Sequence, residues 1–192
     1  MKRILFSLLL LPTALFAQRD SVKVTTSIYT VMYSEVKQQP LWCEYTVQCP
    51  NATLSRSGVD FHSHNGIITS DAADYVNNVW DKGHMCPYKG SNCSDAKRFE
   101  SFSYVNCSLQ DQYLNRGAWR LLENYERGLT SQGTVKVKVV TEWGPSSFWL
   151  ETGAMVPSGF YKYIWINNQL HGVWYFANKR PATSDYMQYK IR

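Results

Sequence analysis

Val135, Val137 and Val139 alternate with Lys136 and Lys138, the period-two pattern of a strand with one face buried and the other wet. Residues 27–33 (SIYTVMY) and 41–47 (LWCEYTV) are rich in aromatic and β-branched side chains and predict two strands, joined by a polar connector that ends in Pro40. Residues 101–107 predict another short strand, and 160–166 (FYKYIWI) with 173–178 (VWYFAN) predict a late pair around the turn signal Asn167-Asn168. Leu114, Ala118, Leu121, Leu122, Tyr125 and Leu129 recur at the three-and-four spacing of an amphipathic helix, and Gly128 sits where such a helix ends. At 100° per residue these apolar positions share an arc of roughly 100°, whereas Asn115, Trp119, Glu123 and Arg127 fall on a stripe centred about 130° away. The expected helix thus has a core-facing side and a separate chemistry-facing side. Residues 51–80 show little periodicity and many Ser, Asn and Gly, which predicts a long surface excursion of the kind that tends to be functional. Strands first, a helix in the middle, then strands again predict a mixed α/β or α+β sheet domain.

The N-terminus changes what should be folded. Lys2 and Arg3 precede an apolar run from Ile4 to Phe16, broken by Ser7, Pro12 and Thr13, and Ala17 offers a small residue before Gln18. This predicts a secretory signal peptide over residues 1–17 and a single domain over 18–192; a membrane span needs about 20 apolar residues, and the run is shorter. After cleavage no membrane association is expected, and the protein is expected to be secreted or periplasmic. All five cysteines, Cys43, Cys49, Cys86, Cys93 and Cys107, lie beyond the signal, so one or two disulfides with at least one thiol left over are expected. If residues 41–49 were one straight strand, Cys43 and Cys49 would stand roughly 20 Å apart and could not pair. Their spacings are not the tight knuckles of zinc ribbons. With 44% hydrophobic and 18% charged residues the chain is no disordered tail, and its formal charge of +5 favours polyanions without naming one.

Two segments carry the chemistry. The first is Trp80-Asp81-Lys82-Gly83-His84-Met85-Cys86-Pro87. The second is Asn106-Cys107-Ser108-Leu109-Gln110, followed by Asn115, with Glu123 eight and Arg127 twelve positions after it. In these motifs the sequence resembles the DNA/RNA non-specific endonucleases, sugar-non-specific nucleases built on a ββα-metal (His-Me finger) core. Weaker likeness extends through Tyr33, Pro40-Leu41-Trp42, Arg56, Phe61 and the stretch from Val156 to Lys162, hence over most of the chain beyond the signal. Lys82 stands where the motif usually has Arg, and Leu109 where it has Pro; Lys keeps the charge and loses the bidentate fork.

The resemblance implies an α+β fold with a mainly antiparallel sheet and an endonuclease that cuts DNA and RNA with little sequence preference, leaving 5′-phosphate ends, an activity that fits the export expected from the N-terminus. It implies His84, Glu123 and Arg127 as catalytic residues, Arg56 and Lys82 as substrate-binding residues, and Asn115 as the ligand of Mg²⁺, with Mn²⁺ or another divalent cation able to serve. These roles make chemical sense. An amide oxygen is a hard ligand for an ion that keeps most of its waters, Glu123 suits holding one of those waters, and Arg127 presents a planar fork to phosphate. Neutral imidazole is a base for water, and at its reference value the rate is expected to fall below about pH 6.5. Taken singly the residues have plainer readings: a turn histidine, a helix-start Asn, and an exposed Glu123–Arg127 ion pair. The polarity of their loop explains His62 and His64 without a metal. The rival to an enzyme is a nucleic-acid-binding module that kept the fold and lost turnover, which binds polyanions in a salt-dependent way without cleaving them.

Overall fold

The structure, a computed structural model, describes residues 18–192. The expected signal peptide, residues 1–17, lies outside the described residues. The strands are β1 (Val22–Thr25), β2 (Tyr29–Ser34), β3 (Gln39–Thr46), β4 (Trp80–His84), β5 (Cys107–Asp111), β6 (Val135–Glu142), β7 (Phe148–Trp149), β8 (Met155–Val156), β9 (Gly159–Ile166) and β10 (Gln169–Ala177). The helices are α1 (Asp95–Ser101), α2 (Gln112–Leu114) and α3 (Arg120–Gly128), with a wider π turn over Asn115–Trp119 joining α2 to α3.

Six strands form one antiparallel sheet in the order β1-β2-β3-β6-β9-β10. The period-two pattern of β6 works as expected: Val135, Val137 and Val139 are fully buried while Lys136 is exposed. On the same inner face, Val31, Tyr33, Cys43, Phe160, Ile164 and Trp174 meet Leu114, Ala118, Trp119, Leu122 and Leu129 from the helical run. A second, two-stranded sheet pairs β4 with β5 antiparallel, with Gly83 opposite Ser108 and His84 opposite Cys107. This pair followed by α2 and α3 is the strand-strand-helix unit of the fold, resting on the face of the large sheet.

Several local expectations shift. Residues 101–107 are not a strand; α1, a 3-10 turn at Tyr104–Asn106 and the start of β5 share them. Asp81 to His84 lie within β4 itself, so His84 is a strand residue and not the turn histidine of the plainer reading. The helix does not keep one stripe throughout. Within Asn115–Trp119 the backbone of Gly117 leaves the helical region (φ −103°, ψ −114°), which kinks the run and breaks its phase; Trp119 and Glu126 are buried at 1% exposure each and Leu121 is half-buried. Of the cysteines, Cys49 and Cys93 form a disulfide with a Cα–Cα distance of 5.6 Å, and Cys43, Cys86 and Cys107 are buried thiols. Strand β3 ends at Thr46, short of Cys49, whose backbone bridges to Gly90 instead.

Candidate active site

A cleft of about 750 Å³ opens between the 56–61 loop, β4, the segment after it and the exposed side of α3. It brings together every residue singled out from the sequence: His84, Asn115, Glu123, Arg127, Arg56 and Lys82 all line it. Residues 51–80, read as an excursion, supply one wall through Arg56, Asp60 and Phe61.

Strand β4 delivers His84, and its neighbours fix where the ring goes. Gly83 is required for close packing: a Cβ there would lie 2.5 Å from Gln110 Oε1 and 2.7 Å from Gln110 Cβ on the partner strand. Beyond His84 the buried Asn106 clamps the chain, its Oδ1 accepting from the Cys86 N–H at 2.7 Å and its Nδ2 donating to the carbonyls of Cys86 and Ser101, each at 2.9 Å. The imidazole packs against Phe61 at 4.8 Å and edge-on against Phe102 at 5.2 Å. Its Nε2 is buried and has no hydrogen-bond partner among the described residues. Burial, reinforced by the nearby Arg56 cation, pushes this histidine down to about 3, so it is neutral throughout the neutral range. The acid limb expected near 6.5 therefore does not belong to His84.

Asn115 opens the π turn. Its Nδ2 donates to Asp81 Oδ2 at 2.9 Å, and Asp81 is in turn gripped by Arg116, with Nε to Oδ2 at 2.8 Å and Nη2 to Oδ1 at 2.6 Å. With its nitrogen committed, the amide keeps its oxygen for the cleft. One turn into α3, Glu123 forms no ion pair among the described residues, so the plainer reading of an exposed Glu123–Arg127 bridge does not hold. Arg127 donates instead to the Glu123 carbonyl at 3.1 Å and to Asn124 Oδ1 at 2.5 Å. Burial pushes the Glu123 carboxyl up to about 7, against the pull of Lys162.

Lys82 reaches Asp60 at 3.5 Å and sits 5.4–5.9 Å from the ring centres of Tyr104, Phe61 and Tyr75. Arg56 lies over Phe102 and Tyr88 at 5.5 and 5.9 Å. Lys89, Arg116 and Arg120 also line the cleft, giving six cationic side chains against the carboxylates of Asp60, Asp81 and Glu123. That excess favours a polyanion. Sequence reading gave no role to Asp81, Arg116 or Asn106, although all three lie within or beside the motifs quoted for it. Lys89 and Arg120 carry no local signature and enter through the fold alone.

The donor set fits a hard divalent cation. Among the described residues no three His, Cys, Asp or Glu side chains cluster as a metal cage. Oriented amide oxygen and unpaired carboxylate suit an ion that keeps several waters and takes few protein ligands.

The chain is similar to known nucleases in sequence and to a solved structure in fold. The nuclease of Serratia marcescens is 25% identical over 191 residues, covering 90% of this chain and 70% of that protein. Mitochondrial endonuclease G of Bos taurus is 32% identical over 79 residues, which is 40% of this chain and 26% of that one. Among solved structures, the EndoG/EndoGI complex contains a chain that superposes with a TM-score of 0.77 at 22% identity, covering 88% of this chain and 80% of its own. The family model of the DNA/RNA non-specific endonucleases matches residues 14–190. The chain belongs to the DNA/RNA non-specific endonuclease family and is a nucleic-acid-hydrolysing enzyme.

Proposed function

We propose that this protein is an exported endonuclease that hydrolyses phosphodiester bonds of DNA and RNA with little sequence preference, uses Mg²⁺, and takes His84 as the base for the attacking water. The observation that carries the reading is the neutral, half-buried His84 imidazole sharing one cationic cleft with the oriented Asn115 amide.

Each residue then has a task. Nε2 of His84 is walled off, so Nδ1 is the nitrogen that takes the proton from water as its oxygen attacks phosphorus in line with the departing 3′ oxygen. Asn115 would hold the cation through its side-chain oxygen, and Glu123 would bind one of the cation's waters. When bound, Mg²⁺, with Mn²⁺ or another divalent ion as substitute, supplies positive charge that stabilises developing negative charge on the phosphate and leaving oxygen. Arg127 and Arg56 present guanidinium groups to phosphate oxygens, and Lys82 adds a point charge steadied by its aromatic surround. Cleavage of the 3′ bond leaves a 5′-phosphate. Sequence preference is low because phosphate contacts carry no base information. Export is supported by the N-terminal apolar run and by the Cys49–Cys93 disulfide, a bond that persists in oxidising compartments. Residues 18–192 are read as the mature single domain.

The test is purified protein with supercoiled plasmid and with RNA, with and without EDTA, followed by ligation of the DNA ends. Metal-dependent degradation of both polymers to ends that ligate without kinase treatment is expected. Salt-sensitive binding without cleavage identifies an inactive binding module and refutes the reading.

A further inference from the structure

The face of β4 that serves the cleft continues past it. Side chains two apart on a strand share a face, so Trp80 extends the row of His84 and Lys82, and at about 3.3 Å per residue it stands roughly 13 Å along the strand from His84. Its ring lies 6.1 Å from that of Phe148 on β7, which is itself 48% exposed. On the helical side, the Gln112 N–H donates to the Val79 carbonyl at 3.1 Å and ties the start of α2 to the start of β4. Tyr113 comes next, also 48% exposed, with the guanidinium of the exposed Arg180 4.2 Å over its ring. Arg116, one helical turn further on, is part of the cleft wall; it spends Nε and Nη2 on Asp81 and keeps Nη1. Three rings and two guanidinium groups thus flank the Asp81 end of the cleft.

Folding does not account for this shelf. Neither Phe148 nor Tyr113 belongs to a hydrophobic cluster of the core, and both leave apolar surface in water. Exposed rings interleaved with arginines suit unpaired nucleotides, whose base faces stack on the rings while the backbone phosphates meet the cations. A duplex offers the same phosphates, but its bases already cover one another's faces and are not free to stack on protein. The two arginines and the unbroken passage into the cleft favour a nucleic-acid strand over an apolar protein surface as the occupant.

We propose that this shelf is a second binding site for the substrate strand, selective for unpaired nucleotides: bases beyond the scissile phosphate stack on Trp80, Phe148 and Tyr113 while Arg116 and Arg180 take phosphates, so single-stranded DNA or RNA is held more tightly than duplex. The inference rests on the nuclease reading of the cleft and adds a preference that phosphate contacts alone do not give.

The test is fluorescence anisotropy in EDTA, where the proposed metal-dependent cleavage is off, with labelled oligothymidylate and a labelled hairpin duplex of equal length over a range of salt. The Phe148→Ala/Tyr113→Ala double variant is expected to lose roughly tenfold in affinity for the single strand, with little change for the duplex and the same salt dependence as wild type. Arg180→Ala is expected to lower the salt slope for the single strand by about one. A folded double variant with wild-type single-strand affinity overturns the proposal, as do equal losses on single strand and duplex. Light scattering adds a further outcome: a wild-type dimer that the double variant splits, with single-strand affinity unmoved, makes the shelf a contact between copies and overturns it too. Should the double variant fail to fold, Arg180→Ala decides alone, and an unmoved slope overturns the proposal. A wild type that cleaves in Mg²⁺ beside unmoved variants refutes the shelf and leaves the nuclease reading standing; a wild type that never cleaves refutes that reading itself.

Discussion

Asn115 is held by Asp81: the amide nitrogen of one lies 2.9 Å from a carboxylate oxygen of the other, across the gap between the π turn and β4. The contact decides which end of the amide faces the cleft, since a side-chain amide presents donor and acceptor at opposite sides. Arg116 holds both oxygens of Asp81, so the pair cannot swivel together.

Asp81→Ala should therefore weaken the metal site without touching the ligand. Outer partners of metal ligands typically contribute 10–100-fold in affinity or activity, and the Mg²⁺ concentration for half-maximal plasmid cleavage is expected to rise by roughly tenfold in Asp81→Ala and further in Asn115→Ala. An unchanged requirement in Asn115→Ala refutes its assignment as ligand.

His84→Ala removes the proposed base together with a ring packed on Phe61 and Phe102, so some loss of thermal stability accompanies it. General bases contribute about 10²–10⁴-fold, so cleavage by the folded variant, assayed well below its melting temperature, is expected to fall by at least about a hundredfold. Wild-type rates in this variant end the base assignment.

Much of this architecture is legible in the chain itself. The valine-lysine alternation of β6 and the Asn167-Asn168 turn between β9 and β10 are local signals with no tertiary competitor, and they fold as read. The fixed spacing from Asn115 to Glu123 and Arg127 likewise brings three residues to one cleft. What the residue pattern does not disclose is the kink at Gly117, where the backbone leaves the helical region and the run loses its phase, with Trp119 and Glu126 buried beyond it. Residues 101–107 mislead for a related reason: their aromatic, β-branched composition reflects burial, which a helix end and a 3-10 turn satisfy as well as a strand.

Gly83→Ala tests the close packing of β4 on β5. The added methyl meets the Gln110 side chain well inside contact distance, and Gln110 is itself buried at 2% exposure with no room to retreat. Overpacking of this kind costs about 1–3 kcal/mol. A melting temperature lowered by several degrees and a large loss of cleavage are expected together, since His84 is the next residue; a stable, fully active variant would show that the strands separate freely here.

The pH dependence of cleavage should follow Glu123. With His84 pushed down to about 3 and Glu123 up to about 7, the group that gains a proton on mild acidification is the carboxyl. In metal-free protein the Glu123 resonance is expected to titrate near neutrality while the His84 ring stays neutral until strongly acid conditions. A histidine ring that protonates between pH 6 and 7, the range of an unperturbed imidazole at roughly 6.5, contradicts this order.

At the far edge of the sheet, Arg19 closes over Glu35 with side-chain hydrogen bonds of 2.9 and 2.7 Å and a backbone one of 2.7 Å, while Ile68 N–H adds another at 3.0 Å. These hydrogen bonds, those from the Arg19 side chain foremost, hold the Glu35 carboxyl down to about 2. A carboxyl lowered on folding contributes stability that is complete above its unfolded value of about 4.3 and is lost as pH falls through the folded one. The Arg19 side chain is 51% exposed, so solvent screening keeps the contribution modest. Arg19→Ala is accordingly expected to lower the melting temperature by roughly 2–4 °C at pH 7 and by nothing measurable at pH 2 and below. Differential scanning calorimetry of both proteins from pH 2 to 7 checks this, and a deficit that persists undiminished at pH 2 would place the stabilising contact elsewhere than in the ionised pair.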